Sequence, residues 1–160
     1  LHSTSRRQRQ MCIRDSRCSA QQVEQYMRRV SGPLLDRIDM HIEVPSVEFE
    51  AMRRKEQPES SAAVRQRVNA AREVQKRRFE GTAVTCNAYM TPAMIGRYCQ
   101  LDAAGEKVMQ GAFERLGLTG RSHDRILRMA RTIADLDASP DIQAAHLAEA
   151  IQYRSSTLLK

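Results

Sequence analysis

The sequence predicts a mainly helical fold: a bundle of four to five helices, preceded by one further helix and a single strand. Hydrophobic residues make up 41% of the 160 residues and aromatic residues 4%, with no Trp, which favours a core of Leu, Ile, Val, Met and Ala. From Ser61 onward, apolar residues recur at intervals of three and four in successive segments. The earlier segment Ile38–Val44 instead alternates apolar and polar residues, as a half-buried strand does. This length suffices for one ordinary domain with a core.

The net charge of +7 is concentrated near the N-terminus. Residues 1–17 contain five Arg and one Asp, a charge of +4, which leaves +3 for the remainder. Residues 1–16 show no periodicity, and we interpret them as a disordered leader of foreign origin, with a genuine basic arm as the alternative.

Hydropathy and cysteine usage indicate a soluble, cytoplasmic chain without a membrane partner. No apolar run approaches the roughly 20 residues that a membrane-spanning helix requires. The four Cys, at positions 12, 18, 86 and 99, show no paired C-x-x-C spacing, which favours free thiols in a reducing cytosol. We expect Cys86 and Cys99 to be buried as small apolar side chains.

The first part of the chain contains short elements separated by breaks. Ser19 is a favourable N-cap for a helix over residues 19–30, and Gly32-Pro33 ends it. The strand Ile38–Val44 follows, and a short helix over residues 46–52 comes next. Residues 53–60 are charged, contain a Pro and lack large apolar groups, so they are interpreted as a linker.

Five helices are predicted after the linker. They are a segment from Ser61 to Phe79, a segment that begins at Thr91-Pro92, a segment from Asp102 to Leu116, a segment from about Arg121 to Leu136, and a last helix that begins between Pro140 and Ala144. The apolar stripe expected on the first consists of Val64, Val68, Ala71, Val74 and Phe79. The inner face expected on the last consists of Leu147, Ala148 and Ile151.

Three stretches resemble one protein family. Residues 32–45, Gly-Pro-Leu-Leu-Asp-Arg-Ile-Asp-Met-His-Ile-Glu-Val-Pro, are similar to the segment that closes the nucleotide-binding domain of magnesium chelatase-like AAA+ ATPases, specifically their ComM/YifB (competence protein) branch. Residues 121–136 and 146–154 resemble the C-terminal helical lid of the same family. The resemblance, from about Arg17 to Arg154, implies the end of an AAA+ α/β domain over 17–52, a linker over 53–60, a lid over 61–154 and a tail over 155–160.

The resemblance implies a role for Arg37 across a subunit boundary. In the family, this position is the arginine finger, which stabilises charge on the phosphoryl group of ATP bound by the neighbouring subunit of a ring. Asp36 would orient Arg37 or lie at the subunit contact. From the residues alone, Asp36 and Arg37 are interpreted as a surface ion pair at the start of the strand. Such a pair contributes little to stability.

Arg121, Arg125 and Arg128 share one side of the predicted fourth helix, at about 100° per residue. The apolar residues on the opposite side are Ile126, Leu127, Ala130, Ile133 and Ala134. Composition alone favours a solvated charged face. The resemblance implies that Arg121 is the sensor-2 arginine, which contacts the γ-phosphate of bound ATP, with Arg125 as the alternative. A guanidinium suits this task because it stays charged and pairs with phosphate oxygens through two bonds.

The sequence contains no Gly-x-x-x-x-Gly-Lys-[Ser/Thr] phosphate-binding loop and no apolar strand that ends in paired acids for magnesium. We therefore expect a C-terminal fragment, with ATP and Mg bound by the full-length parent and no cofactor bound by this chain alone. Whether the chain counts as part of an enzyme stays open. His41, His123 and His146 are not at metal-ligand spacing, so no metal site is predicted.

The resemblance also implies partners: the upstream AAA+ domain, neighbouring subunits of a homo-oligomeric ring, and DNA remodelled in natural transformation. Two other functions stay open. One is a stand-alone basic helical module that binds nucleic acid, and the other is a fragment of a tetrapyrrole magnesium chelatase ATPase subunit. The predicted strand Ile38–Val44 argues against the first, because a stand-alone helical module has no use for a single strand.

Overall fold

The computed structural model describes Ser19, Gln21, Gln25, residues 37–42, Val44 and residues 59–154. Contacts divide the chain after Ile38 into two units. The described residues up to Ile38 belong to the first unit, in which Gln21, Gln25 and Arg37 are helical. The described residues from Asp39 onward belong to the second unit, which contains the helical bundle.

The bundle comprises five α-helices and a short 3₁₀ turn within the described part of the chain. The helices are α1 (Ser61–Arg78), α2 (Pro92–Tyr98), α3 (Ala103–Leu116), α4 (Gly120–Leu136) and α5 (Ala144–Gln152). The 3₁₀ turn, Asn87–Tyr89, lies between α1 and α2 and was not predicted. The mainly helical fold class is confirmed, and the start of α5 is at Ala144.

Side-chain caps determine where four of these helices begin. The side-chain oxygens of Ser60, Thr91, Asp102 and Thr119 each accept the backbone N–H three residues further on. Each cap satisfies one of the amides that a helix start leaves without a partner. α3 ends at Gly117, whose φ of 60° lies in the left-handed region that glycine adopts without steric cost.

α4 is the central helix of the bundle. It packs against α1, α2, α5 and the 3₁₀ turn, while α3 packs against α5. Ile126, Ala130 and Ala134, which share one face of α4, have no solvent exposure. The buried core cluster contains these three residues together with Phe79, Met90, Ile95, Cys99, Met109, Leu127, Ile142, Leu147 and Ala150.

The predicted strand Ile38–Val44 is wrong, because none of its described residues is in a strand. Two of its apolar side chains, Ile42 and Val44, are 66% and 71% exposed. A strand needs backbone partners on a neighbouring strand, and the part of the chain that the structure describes contains no sheet to supply them. The His41 N–H instead donates to the carbonyl oxygen of Tyr153, at 2.7 Å.

The apolar stripe predicted on α1 is only partly buried. Ala71 and Phe79 are buried, but Val64, Val68 and Val74 are 40%, 45% and 36% exposed. Helical spacing identifies which residues share a face, whereas burial also requires a neighbouring element along that face. On α5, Leu147 is fully buried, while Ala148 and Ile151 are half-buried.

Several predictions concern residues outside the described ones. Gln21 and Gln25 are helical, as the predicted helix 19–30 requires, but the rest of that helix is not described. The other predictions that lie outside the described residues are the leader 1–16, the short helix 46–52, linker residues 53–58 and the tail 155–160.

Candidate functional site

Arg121 is the exposed member of the arginine stripe on α4. It lies in the first turn of the helix and makes no hydrogen bond or ion pair with another described residue. The Thr119 hydroxyl accepts the Ser122 N–H at 3.3 Å, which fixes this turn. The start of a helix carries the positive end of its dipole, so a guanidinium there creates an environment that favours an anion.

Arg125, one turn further along α4, is paired. Its Nη1 atom lies 3.0 Å from Oδ1 of Asp39, and the two side chains are 24% and 64% exposed. Ion pairs with this much solvent exposure contribute little to stability. The pair nevertheless positions Arg125 toward the segment that precedes the bundle.

Arg128 faces the 3₁₀ turn. Its Nη2 atom donates to the carbonyl oxygen of Met90 at 2.9 Å, and its Nε atom is buried. A cavity of about 200 Å³ beside it is lined by Asp39, Ala88, Arg125, Arg128, Met129 and Thr132. The expected solvent-facing stripe therefore holds for Arg121 only, because the 3₁₀ turn and Asp39 partly cover the other two arginines.

A buried charge network lies at the other end of α4. The Asp135 carboxylate accepts hydrogen bonds from both terminal nitrogens of Arg78, from Asn87 Nδ2 at 2.8 Å and from Arg131 Nε at 3.1 Å. The remaining nitrogens of Arg131 donate to the carbonyl oxygens of residues 139 and 140, at 2.7 and 2.8 Å. The network joins α1, the 3₁₀ turn, α4 and the loop before α5.

This network was not predicted from the sequence, although part of it could have been found. Arg131 and Asp135 are four residues apart on α4, a spacing that permits an ion pair, and they border the apolar arc of the helix. A charged pair at the edge of a buried face needs further partners. Arg78 could not have been identified as one, because it lies 57 residues before Asp135 in the chain.

The remaining predicted site residues precede the bundle in the sequence. Arg37 is a helical, exposed residue of the first unit. Asp36 lies outside the described residues. The predicted roles of Arg37, Asp36, Arg121 and Arg125 are not tested by these positions and stay predictions.

Cys86, Cys99 and His146 have contacts that suit structural residues of the bundle. Burial raises the pKa of Cys99 to about 11, so its thiol is protonated and a poor nucleophile at neutral pH. Cys86 is only half-buried, so the expectation of burial holds for Cys99 alone. His146 caps α5: its Nδ1 accepts the Gln143 N–H at 3.1 Å, and its Nε2 lies 3.1 Å from Asp137 Oδ2.

Two features are absent from the described residues. No group of three or more His, Cys, Asp or Glu side chains there could hold a metal ion. No helix in this part of the chain has both the length and the apolar character needed to cross a membrane.

α1 presents a basic, largely exposed surface. The helix contains six basic residues and one acidic residue, and only Ala71 and Gln75 are buried along it. A groove of about 1160 Å³ follows its C-terminal half, and its lining includes Arg72, Lys76 and Arg77 together with the acidic Glu73 and Glu80. Tyr89, 70% exposed, also lines the groove. Basic side chains beside an exposed aromatic ring suit a nucleic-acid strand.

Two family models match the chain. The model described as magnesium chelatase, subunit ChlI C-terminal, matches residues 58–154, and the model described as magnesium chelatase, subunit ChlI, matches residues 5–52. The first match covers the entire described bundle. The second begins within residues 1–16, the segment interpreted as a foreign leader, whose origin stays a prediction.

Curated relatives extend the comparison. The chain is 40% identical over 141 residues to the protein YifB of Escherichia coli K12, and 40% identical over 145 residues to the competence protein ComM of Haemophilus influenzae Rd. It is 30% identical over 142 residues to a protein of Mycobacterium tuberculosis H37Rv. These alignments cover 88%, 90% and 89% of the chain but 27%, 28% and 28% of the relatives. The chain therefore spans little more than a quarter of the length of these curated relatives.

Proposed function

Because this chain belongs to the magnesium chelatase family and is similar to its ComM and YifB members, we propose that it is the lid-bearing C-terminal part of an AAA+ ring ATPase. The observation that carries the proposal is the family match over residues 58–154, which coincides with the described bundle. The chain lacks a phosphate-binding loop, so an upstream domain of the full-length parent would bind the nucleotide.

In this proposal, Arg121 contacts the γ-phosphate of ATP bound within its own subunit. ATP with Mg²⁺ supplies the phosphoryl group that is transferred to water. Arg121 fits an anion because it is exposed, has no ion pair with a described residue and lies at the positive end of α4. Arg125, the alternative, already pairs with Asp39, which supports Arg121 as the lid arginine.

Arg37 is proposed to act on ATP bound by the neighbouring subunit of a homo-oligomeric ring, with Asp36 orienting it. The exposure of Arg37 suits a contact across a subunit boundary. A guanidinium at this position would stabilise charge on the transferring phosphoryl group.

DNA is proposed as the substrate of the full-length parent, acted on during natural transformation. The name competence protein of the relative ComM and the basic surface of α1 support a nucleic-acid partner. The stand-alone nucleic-acid module would use the same surface, and a tetrapyrrole chelatase subunit would share the family models. The ring ATPase is preferred over the chelatase because of the 40% identity to ComM and YifB.

The test is the ATPase rate of the full-length parent in rings of each single variant and in rings that mix the two variants. Arg37→Ala should lower turnover by roughly 10³- to 10⁵-fold, the value of arginine fingers in related reactions. Arg121→Ala should also lower turnover, because it removes the γ-phosphate contact within its own subunit. A mixture of the two variants should recover part of the turnover, because an Arg37→Ala subunit keeps its own Arg121 and can receive Arg37 from an Arg121→Ala neighbour.

Arg65→Ala is the control, since Arg65 is an exposed arginine of α1 that has no ion pair with a described residue. It should leave the turnover measured without DNA unchanged. DNA should raise the turnover of the wild-type ring. The assignment is wrong if the mixture of Arg37→Ala and Arg121→Ala subunits recovers no turnover, or if Arg121→Ala matches Arg65→Ala. If DNA does not change the turnover of the ring but the 160-residue chain binds DNA, the stand-alone module is favoured.

A further inference from the structure

A short segment before the bundle is attached to it at two points. Asp39 Oδ1 lies 3.0 Å from Arg125 Nη1 on α4. Two residues later, the His41 N–H donates to the carbonyl oxygen of Tyr153, directly after α5, at 2.7 Å. Both ring nitrogens of His41 are buried. We name residues 39–41 the strap.

The strap begins two residues after Arg37. Its partner on α4, Arg125, lies four residues after Arg121. Arg37 precedes Asp39 by two residues, and two residues of backbone span at most about 7 Å. Arg121 precedes Arg125 by four residues, which is about one helical turn. A displacement of α4 at Arg125 therefore acts on the backbone next to Arg37 as long as the ion pair is intact.

α4 can transmit such a displacement because it is held as a rigid element. Near its end, the buried Asp135 accepts from Arg78 and Arg131, and Ile126, Ala130 and Ala134 on its inner face have no solvent exposure. The Asp39–Arg125 pair, in contrast, is open to water, since the Asp39 side chain is 64% exposed. A solvent-exposed pair is weak enough to break and form again within a reaction cycle.

We propose that Asp39 and Arg125 are positioning residues that couple the lid to the finger. When the lid follows the nucleotide of its own subunit, the pair moves the strap, and the strap adjusts Arg37 toward the neighbouring subunit. This inference rests on the proposed function of Arg37 and Arg121. It adds a regulatory contact that makes hydrolysis in one subunit depend on the nucleotide state of the next.

The strap itself is tested on the 160-residue chain by amide hydrogen exchange. Asp39→Asn keeps the shape of the side chain and removes its charge. It should accelerate exchange of the His41 amide by roughly two- to fivefold, the factor that corresponds to the usual contribution of an exposed ion pair. The reversed pair Asp39→Arg with Arg125→Asp should restore the wild-type rate. Unchanged His41 exchange in Asp39→Asn would overturn the inference.

Glu59→Gln is the matched control. Glu59 forms a 2.9 Å ion pair with Arg67, and the two side chains are 47% and 61% exposed, so the control removes a similar pair elsewhere on the bundle. It should not alter His41 exchange. Acceleration of His41 exchange by Glu59→Gln as well would show general loosening of the bundle and count against the strap.

The coupling is tested on the full-length parent through the ATP dependence of hydrolysis. Asp39→Asn should lower the Hill coefficient toward 1, the reversed pair should restore it, and Glu59→Gln should leave it at the wild-type value. If Arg37→Ala and Arg121→Ala leave turnover intact, the proposed function fails and the coupling fails with it. If both lower turnover but Asp39→Asn leaves the Hill coefficient unchanged, the coupling alone is wrong.

Discussion

Two guanidiniums inside the bundle depend on one carboxylate. The side chains of Asp135, Arg131 and Arg78 are 0%, 3% and 13% exposed. Removing such ions from water costs several kcal/mol each, and the cost is offset only because the hydrogen-bonding capacity of each group is well used. The same residue type thus has opposite roles along α4, since Arg131 is buried and paired while Arg121 is exposed. The role of an arginine depends on its burial and on its hydrogen-bond partners, and the residue type alone predicts neither.

Replacing Asp135 with Ala should destabilise the chain by about 3–5 kcal/mol, because it leaves two buried guanidiniums without their counter-charge. The loss would be measured by urea unfolding followed by circular dichroism. Glu59→Gln, at an exposed ion pair, should change the free energy of unfolding by no more than about 1 kcal/mol. Equal effects at Asp135 and Glu59 would contradict the view that the buried network holds α1 against α4.

The end of α4 is strained at one residue. Ala138, directly after the C-cap Asp137, has a φ of 53°, which is in the left-handed region. Its N–H donates to Asp135 O at 3.3 Å, and the Ser139 N–H donates to Ala134 O at 2.8 Å. These are the two bonds of a Schellman motif, in which this position is usually glycine. A residue with a Cβ atom pays about 1–2 kcal/mol in this conformation.

Ala138→Gly should therefore stabilise the chain, by up to about 1 kcal/mol after the greater backbone entropy of glycine in the unfolded state is included. The matched control is Ala70→Gly, at an exposed interior position of α1, which should destabilise by about 1 kcal/mol. Denaturant midpoints of the two variants should move in opposite directions. A midpoint that falls in both would show that Ala138 is not strained.

The elements that could be predicted from sequence are those determined by nearby residues. Helices α1 to α4 begin at Ser, Thr or Asp caps, and their periodic stripes are local. The start of α5 was not located in advance, because Gln143 and His146 replace the usual Ser/Thr and Glu of a capping box. The segment Ile38–Val44 failed as a strand because strand formation depends on distant partners.

At the scale of the molecule, the family was predictable from the sequence, whereas the contacts of the candidate arginines were not. Arg121 and Arg37 were predicted as site residues through a resemblance to a family; the comparisons confirm the family, and the roles of the two residues stay predictions. The pairing of Arg125 with Asp39 and the cover over Arg128 could not be predicted, because each joins residues that are far apart in the chain. Long-range contacts of this kind depend on how the helices pack.

The packing also predicts which part of the chain folds by itself. All buried apolar residues among the described ones lie between Ala71 and Ala150, and α4 contacts most of the elements between them. Residues 59–154 should therefore fold alone. Among the contacts that the structure describes, they lose those of the strap, whose exposed ion pair and single backbone hydrogen bond contribute about 1–2 kcal/mol in total.

Urea unfolding of residues 59–154, compared with the full chain, measures this difference. The shorter chain should unfold in one cooperative step, with a free energy of unfolding within about 2 kcal/mol of the full chain. A further truncation to residues 81–154 removes α1 and with it Arg78 and Phe79, so the Asp135 carboxylate loses a buried partner and the core loses an aromatic ring. That chain should show no cooperative transition, because the loss of the two Arg78 hydrogen bonds to buried Asp135 and the loss of a core phenylalanine together cost more than such a small bundle can supply. Cooperative unfolding of 81–154, or its absence in 59–154, would show that the structural unit is not the one that the buried core defines.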